Sequence, residues 1–150
     1  MTASVGSEEN AADQIKHYQK FTVNIPDESF MLEMEQAGFI SHREKIAKLG
    51  LDFQPSDLTQ APILDACPVV LDCEVDRIIE EDGICHIFAK ILDRLAESDL
   101  LDDKGHFRND SFAPTYFMGD GHKRVYRYLD NRVDPMGSFI KKARRKDEKS

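Results

Sequence analysis

Cysteine is scarce in this sequence. Cys67, Cys73 and Cys85 are the only three in 150 residues, too few and too scattered for a disulfide framework, and no C-x-x-C pair suggests zinc. Free thiols in a reducing compartment are expected. Long apolar runs are also missing: none approaches the ~20 residues a membrane-crossing helix needs. The first residues lack the charged-then-apolar pattern of a signal peptide. These absences point to a cytoplasmic protein with no membrane partner. No internal repeat is present. No Ser/His/Asp or Cys/His set has the spacing of a nucleophilic site. Asp102, Asp103, Asp110 and Asp120 lack the spacing of a calcium loop, and His106 and His122 are too isolated to name a metal site. Positive charge is thin outside the tail. The first 140 residues hold 14 Lys/Arg against 26 Asp/Glu, a net charge of −12, which repels nucleic acid and anionic membranes. The basic tail, with Lys141, Lys142, Arg144, Arg145 and Lys146, reads as a solvated terminus rather than a phosphate or RNA site.

What is present is enough for one domain with a real core, in an ordinary mix of 41% hydrophobic and 32% charged residues. Thr2–Val5 is a short strand candidate. Ser7 is placed to cap a helix with Glu8 and Glu9 in its first turn, where acids suit the positive end of the helix dipole. Ala11, Ala12, Ile15 and Tyr18 follow at helical spacing. Lys20–Ile25 reads as a strand stopped by Pro26. A second helix is expected over Asp27–Gln36, with Met31 and Met34 facing the core. Ser41-His42-Arg43-Glu44 fits a capping box that opens a third, which Gly50 terminates. Leu51–Pro62 reads as a loop.

The β signal peaks between Pro68 and Leu95. Val69, Leu71, Cys73 and Val75 alternate with Val70, Asp72, Glu74 and Asp76. After the acidic turn Glu80-Glu81-Asp82-Gly83, alternation resumes at Cys85, Ile87, Ala89 and Ile91. This predicts a long antiparallel hairpin of the kind that builds a barrel wall. A turn at Asp102–Gly105, a loop and a last apolar run over Val125–Leu129 complete a mainly β chain with inserted helices.

Several motifs, in order, resemble the flavin reductase-like, FMN-binding split-barrel family. Ala12-Asp13-Gln14-Ile15-Lys16 leading into Phe21-Thr22-Val23-Asn24-Ile25-Pro26 is similar to its "I-K … F-T-V-N-I-P" segment. Ser41–Leu51 resembles its Ser-led helix ending in Gly-Leu. Ala61-Pro62-Ile63 and Cys67–Val75 resemble "A-P … C-P-x-x-L-E-C-x-V". Gly83–Leu92 resembles the return strand, and Leu101–Gly105 with Tyr116–Leu129 the closing hairpin. The resemblance implies a partial split β-barrel over residues 1–130, lacking the family's first strands, followed by a basic, disordered tail over 131–150. It implies bound FMN, NAD(P)H as co-substrate, and hydride transfer from NAD(P)H to flavin. The alternatives are an FMN-carrying electron-transfer protein without a nicotinamide site, and a non-catalytic subunit. A homodimer is expected, because an incomplete barrel exposes strand edges.

Site residues follow in part from that resemblance and in part from the residues themselves. The family histidine aligns with Cys85 or His86, and His86 is the candidate to contact nicotinamide or the flavin edge. The helix Thr that supports the flavin phosphate is replaced by Ala11 or Asn10. Ser7, Asn10 and Ser41 are candidate phosphate contacts at helix N-termini, although Ser7 and Ser41 need no ligand as plain caps. Tyr116 and Phe117 are candidates to stack on the flavin or to pack in the core. In Gly119-Asp120-Gly121-His122-Lys123-Arg124, Gly119 permits close backbone approach, and Lys123 and Arg124 bring positive charge to a phosphate of FMN or NADPH. The alternative is a plain hairpin turn.

Overall fold

Strong alternation in the centre of the chain becomes the centre of the fold. In the computed structural model, residues 1–39, 49–119, 122–130 and 132–141 are described. A four-stranded antiparallel sheet has the order β1-β6-β5-β2. Its strands are β1 (Thr2–Gly6), β2 (Lys20–Ile25), β5 (Val69–Glu81) and β6 (Ile84–Ala96). The two 13-residue strands meet at Asp82-Gly83, where both residues have positive φ (50° and 76°). A two-residue turn of that kind matches the twist of the strands it joins.

Two bulges curl this hairpin. The pairing runs Asp72↔Asp93 then Cys73↔Ile91, which leaves Leu92 as an extra residue on β6. It later runs Val75↔Ala89 then Arg77↔Phe88, which leaves Asp76 extra on β5. One insertion on each strand restores the register, so both ends of the hairpin stay flush while the twist increases. The shift at Asp76 also explains why Ile78, and not Ile79, continues the inward row: Ile79 is exposed.

Helix α1 (Asn10–Tyr18) carries the chain from β1, at one edge, to β2, at the other. It docks through Ala12, which is buried, and through Lys16, one turn on, which pairs with Glu80 of β5. The same Glu80 accepts a hydrogen bond from the Cys85 thiol at 3.3 Å. The helix ends at Gln19, whose left-handed conformation (φ 57°) lets its backbone N–H reach Ile15 O, while its side-chain amide donates to Lys16 O at 2.7 Å. The start differs from expectation: Glu9, not Ser7, occupies the N-cap position, and no side chain caps the helix there. Ser7 lies in the preceding turn and donates its N–H to Gly83 O. The resulting core is small and rich in thiols, with Cys67, Val70, Cys73, Cys85, Ile87, Ala89 and Ala12 buried.

The second helix begins later than its sequence suggests. Asp27 Oδ1 accepts from Ser29 N and starts a 3-10 turn over Glu28–Phe30, and α2 follows over Met31–Phe39. Met31 and Met34 are half-buried. The helix expected from Ser41 lies, apart from Leu49, outside the described residues. Gly50 has a φ of 59°, the left-handed geometry expected of a terminator.

The segment read as a loop holds two short strands, β3 (Phe53–Pro55) and β4 (Pro62–Leu64), paired with each other. Side chains of β2 fasten them. Asn24 Oδ1 accepts from Leu64 N at 2.8 Å, its amide donates to Pro62 O at 3.2 Å, and Thr22 Oγ1 donates to the same carbonyl. The connection between β3 and β4 folds over Asp72, which is 1% exposed and accepts from the hydroxyls of Ser56 and Thr59. Finally β7 (Tyr116–Gly119) and β8 (Arg124–Arg127) form a separate hairpin, and residues 138–141 make a single helical turn.

Candidate functional site

The helical stripe Ala11, Gln14, Ile15 and Tyr18 does not face the core. These residues, spaced i, i+3, i+4 and i+7, form one wall of a cleft of about 500 Å³. Lys20, Phe21, Thr22 and Asn24 of β2 contribute a second wall, and Thr59–Pro62 the third. The volume falls within the range of small-molecule sites, roughly 300–1,000 Å³. Apolar surface comes from Ala11, Ile15, Phe21, Ala61 and Pro62, and amides from Gln14 and Gln60.

The third wall is held stiffly. Gln60 adopts a left-handed φ of 62°, uncommon for a residue with a side chain. It is fixed from both ends: its backbone N–H donates to Ser56 O at 3.0 Å, and its side-chain amide to the same carbonyl at 2.8 Å. Ser56 and Thr59 are anchored on Asp72, while Thr22 and Asn24 are occupied in fastening β4. The cleft is therefore bounded by a helix face and by a loop that a buried carboxylate holds in place.

The residues singled out in the sequence fall elsewhere. His86 lies on β6 opposite Ser4 of β1, with Ser4 Oγ 3.0 Å from His86 Nδ1. Cys85, the other alignment candidate, is fully buried on the opposite face. Two pairs down the same ladder from His86, Arg77 stacks 4.4 Å from the centre of the Phe88 ring. Ser7 lies in the turn before α1 and Asn10 opens the helix, and neither lines the cleft. Ser41 lies outside the described residues.

The remaining candidates share the distal hairpin. Gly119 closes β7 and pairs with Arg124 of β8, so the connecting turn is shorter than the Gly119–Arg124 segment. Phe117 packs edge-on to Tyr126 with ring centres 5.7 Å apart. Phe117, Arg124 and Tyr126 border a second cavity of about 300 Å³ with Met34, Glu35, Gly38 and Phe39. Tyr116, Phe117 and Met118 are 49%, 62% and 52% exposed, so they are not packed in the core of this chain. Lys123 follows in the turn. The cleft beside α1 shares no lining residue with this second cavity.

None of the described residues assigned a site role from the sequence lines the cleft. Ala11, Gln14, Ile15, Phe21, Thr22, Asn24, Ala61 and Pro62 do, and most of them belong to the motifs that carry the family resemblance, but they become neighbours only once β4 docks on β2.

Among the described residues, no group of His, Cys, Asp and Glu is arranged to hold a metal ion. No helix there is long and apolar enough to cross a membrane.

Comparison with known proteins bears on both sequence and fold. The family model "Flavin reductase like domain" matches residues 1–114. The fold resembles a 2-nitrobenzoate 2-nitroreductase of Pseudomonas fluorescens, at 23% identity and a TM-score of 0.78 over 89% of this chain and 66% of that one. It resembles the flavoredoxin of Desulfovibrio vulgaris (Miyazaki F), at 20% identity and a TM-score of 0.79 over 91% and 74%. An FMN-binding protein from Thermus thermophilus is similar at 15% identity, with a TM-score of 0.67 over 89% and 71%. The chain thus spans about two thirds to three quarters of the length of these proteins. No curated protein is similar to it at a significant level. At these identities the structural likeness establishes the split-barrel fold, here with the curled sheet of four strands.

Proposed function

The chain belongs to the flavin reductase-like domain family, and on that footing we propose that it binds a flavin in the cleft beside α1 and serves flavin-related redox chemistry. The names of its structural relatives, a nitroreductase and a flavoredoxin among them, support the redox class. The observation that carries the reading is the cleft itself: about 500 Å³, walled by one helix stripe and a pinned loop, in a chain of this family.

The lining fits the group. A flat ring system needs apolar walls, here from Ala11, Ile15, Phe21, Ala61 and Pro62, with Tyr18 at hand for stacking. Its polar edge needs hydrogen-bond donors and acceptors, which Gln14 and Gln60 supply. Hydride transfer from NAD(P)H to FMN is the chemistry the bound cofactor would provide. The protein's part is to orient and to exclude water, so no catalytic triad is needed. His86 pairs with Ser4 of β1 and does not line this cleft, so it is assigned no part in hydride transfer to a flavin bound there. Lys123 and Arg124 are assigned to the phosphates of the nicotinamide nucleotide, since they are basic groups on an acidic body. The exposed Tyr116, Phe117 and Met118 are assigned to a homodimer contact.

The test is a titration with FMN followed by flavin fluorescence, then addition of NADH or NADPH. Quenching with saturation followed by bleaching is expected. Saturable binding without bleaching would leave an electron-transfer protein, and no binding at all would remove the flavin reading. Lys123→Ala with Arg124→Ala is expected to raise KM for the nicotinamide nucleotide more than it weakens flavin binding.

A further inference from the structure

Flavins differ in what hangs from the ring. FMN carries a phosphate dianion, and riboflavin ends in a neutral hydroxyl. A protein that anchors the phosphate surrounds it with cations and donors whose capacity is unused. The α1 cleft is built otherwise. Among the described residues its lining contains one basic residue, Lys20, which stands in register opposite the acidic Glu74 on β5. The donors nearest in kind to a phosphate cradle are already engaged. Thr22 Oγ1 donates to Pro62 O, the Asn24 amide donates to the same carbonyl, and Thr59 Oγ1 donates to Asp72.

The start of α1 adds repulsion. A helix N-terminus attracts anions through its dipole, but here Glu8, Glu9 and Asp13 gather around it. The Glu9 side chain also folds back over Gly6, so closely that a Cβ on Gly6 would lie 3.1 Å from its carboxylate oxygen. The dipole therefore faces the chain's own carboxylates. What stays available in the cleft is ring-shaped: apolar walls, the amide of Gln14 and the side-chain carbonyl of Gln60, whose NH2 group is held by Ser56 O.

Resting on the flavin reading above, we propose that this cleft recognises the isoalloxazine ring and not the phosphate, so that riboflavin and other uncharged flavins are ligands equal to FMN. The ribityl end and its terminal group project away from the recognition surface. Binding of either flavin depends little on ionic strength, because no ion pair with the ligand is formed.

Parallel fluorescence titrations with FMN and riboflavin test this; the chain has no tryptophan, so the flavin's own emission is the clean signal. Dissociation constants within ~3-fold of each other are expected, unchanged between about 0.1 M and about 1 M salt. Lys20→Ala should leave their ratio unchanged. One charge-assisted contact to the phosphate is worth more than a tenfold preference. FMN binding over ten times tighter than riboflavin, or a selective loss of FMN in Lys20→Ala, would therefore overturn the proposal. Ala11→Phe, which fills the cleft from an exposed helix position, and Gln14→Leu, which removes an amide at similar volume, separate this from failure of the site. Both should weaken the two flavins alike. If flavins bind and neither substitution matters, the cleft is not the site and both readings fall, as they do if neither flavin binds.

Discussion

Asp72 shows how one residue can shape a site it does not line. It sits in a strand whose neighbours alternate, and its position predicts an outward side chain. It does lie on the face away from Cys73, but the β3–β4 connection covers it and supplies two hydroxyls. Asp72→Ala would leave Ser56 and Thr59 without their acceptor inside the protein. At about 1–3 kcal/mol for each of the two buried groups left unpaired, the loss is expected to be about 2–6 kcal/mol, read from urea unfolding. Gln60, released from its pinned conformation, would loosen the cleft wall, so flavin affinity should fall as well.

A second residue-scale prediction concerns the Lys16–Glu80 pair. Glu80 is held below its ordinary value of 4.5, first by its hydrogen bond with Lys16 and then by the one with Cys85. Lys16 is raised above 10.5, again chiefly by Glu80. A depressed acid contributes stability above its unfolded pKa and loses it as pH falls through the folded value. A raised base contributes below its unfolded pKa and loses it as pH rises through the folded value. Docking of α1 should thus be complete between about pH 5 and pH 10 and weaken outside that window. Lys16→Met is expected to flatten the acid limb of a thermal-stability profile against pH; an unchanged acid limb would show that α1 docks without the pair. The effect should be small, because both side chains are partly exposed.

At the scale of elements, the β2–β4 junction is the informative one. Asn24 acts as a surrogate peptide: its amide accepts from Leu64 N and donates to Pro62 O, so a side chain continues the sheet where the backbone ladder stops. Asn24→Ala should free β3–β4 from β2, and the Leu64 amide should then exchange with deuterium faster, with little change at the β5–β6 amides. Equal acceleration in both places would mean general destabilisation instead. The long hairpin, its turn and β2 were legible from alternation and from Asp-Gly, because those signals are local. The β3–β4 pair was not, since three-residue strands carry no period and Pro55 and Pro62 read as loop. The N-cap at Glu9 rather than Ser7 was missed for a related reason: Ser7 N–H is taken by Gly83 O, a contact 76 residues away in the chain that no capping rule contains. The cleft beside α1 was not legible as a site, because its three walls come from segments of the chain that meet only in the fold.

For the whole molecule, the balance between core and surface matters most. The buried residues are few and mostly small, while Phe39, Tyr116, Phe117, Met118, Val133, Met136 and Phe139 are exposed. Apolar surface of that extent on a monomer marks an interaction face. Sedimentation at micromolar concentration is expected to give a dimer or larger, and Phe117→Glu should shift it towards monomer. A well-folded monomer of the unaltered chain would contradict the assigned contact.

The three cysteines have a further consequence. All are buried, in three different neighbourhoods: Cys67 after β4, Cys73 in mid β5, and Cys85 beside the tip of the central hairpin. Burial, with Asp27 nearby, pushes the Cys67 thiol up to about 11, and burial, with Asp72 second, raises that of Cys73 as well. Each is therefore a silent reporter until its own surroundings open. The rate at which a thiol reagent labels each one, resolved by mass spectrometry, would time the opening of loop, sheet and hairpin separately in the unmodified chain. Cys67, under the short strands, should react first, and a bound flavin should slow it before it slows Cys85.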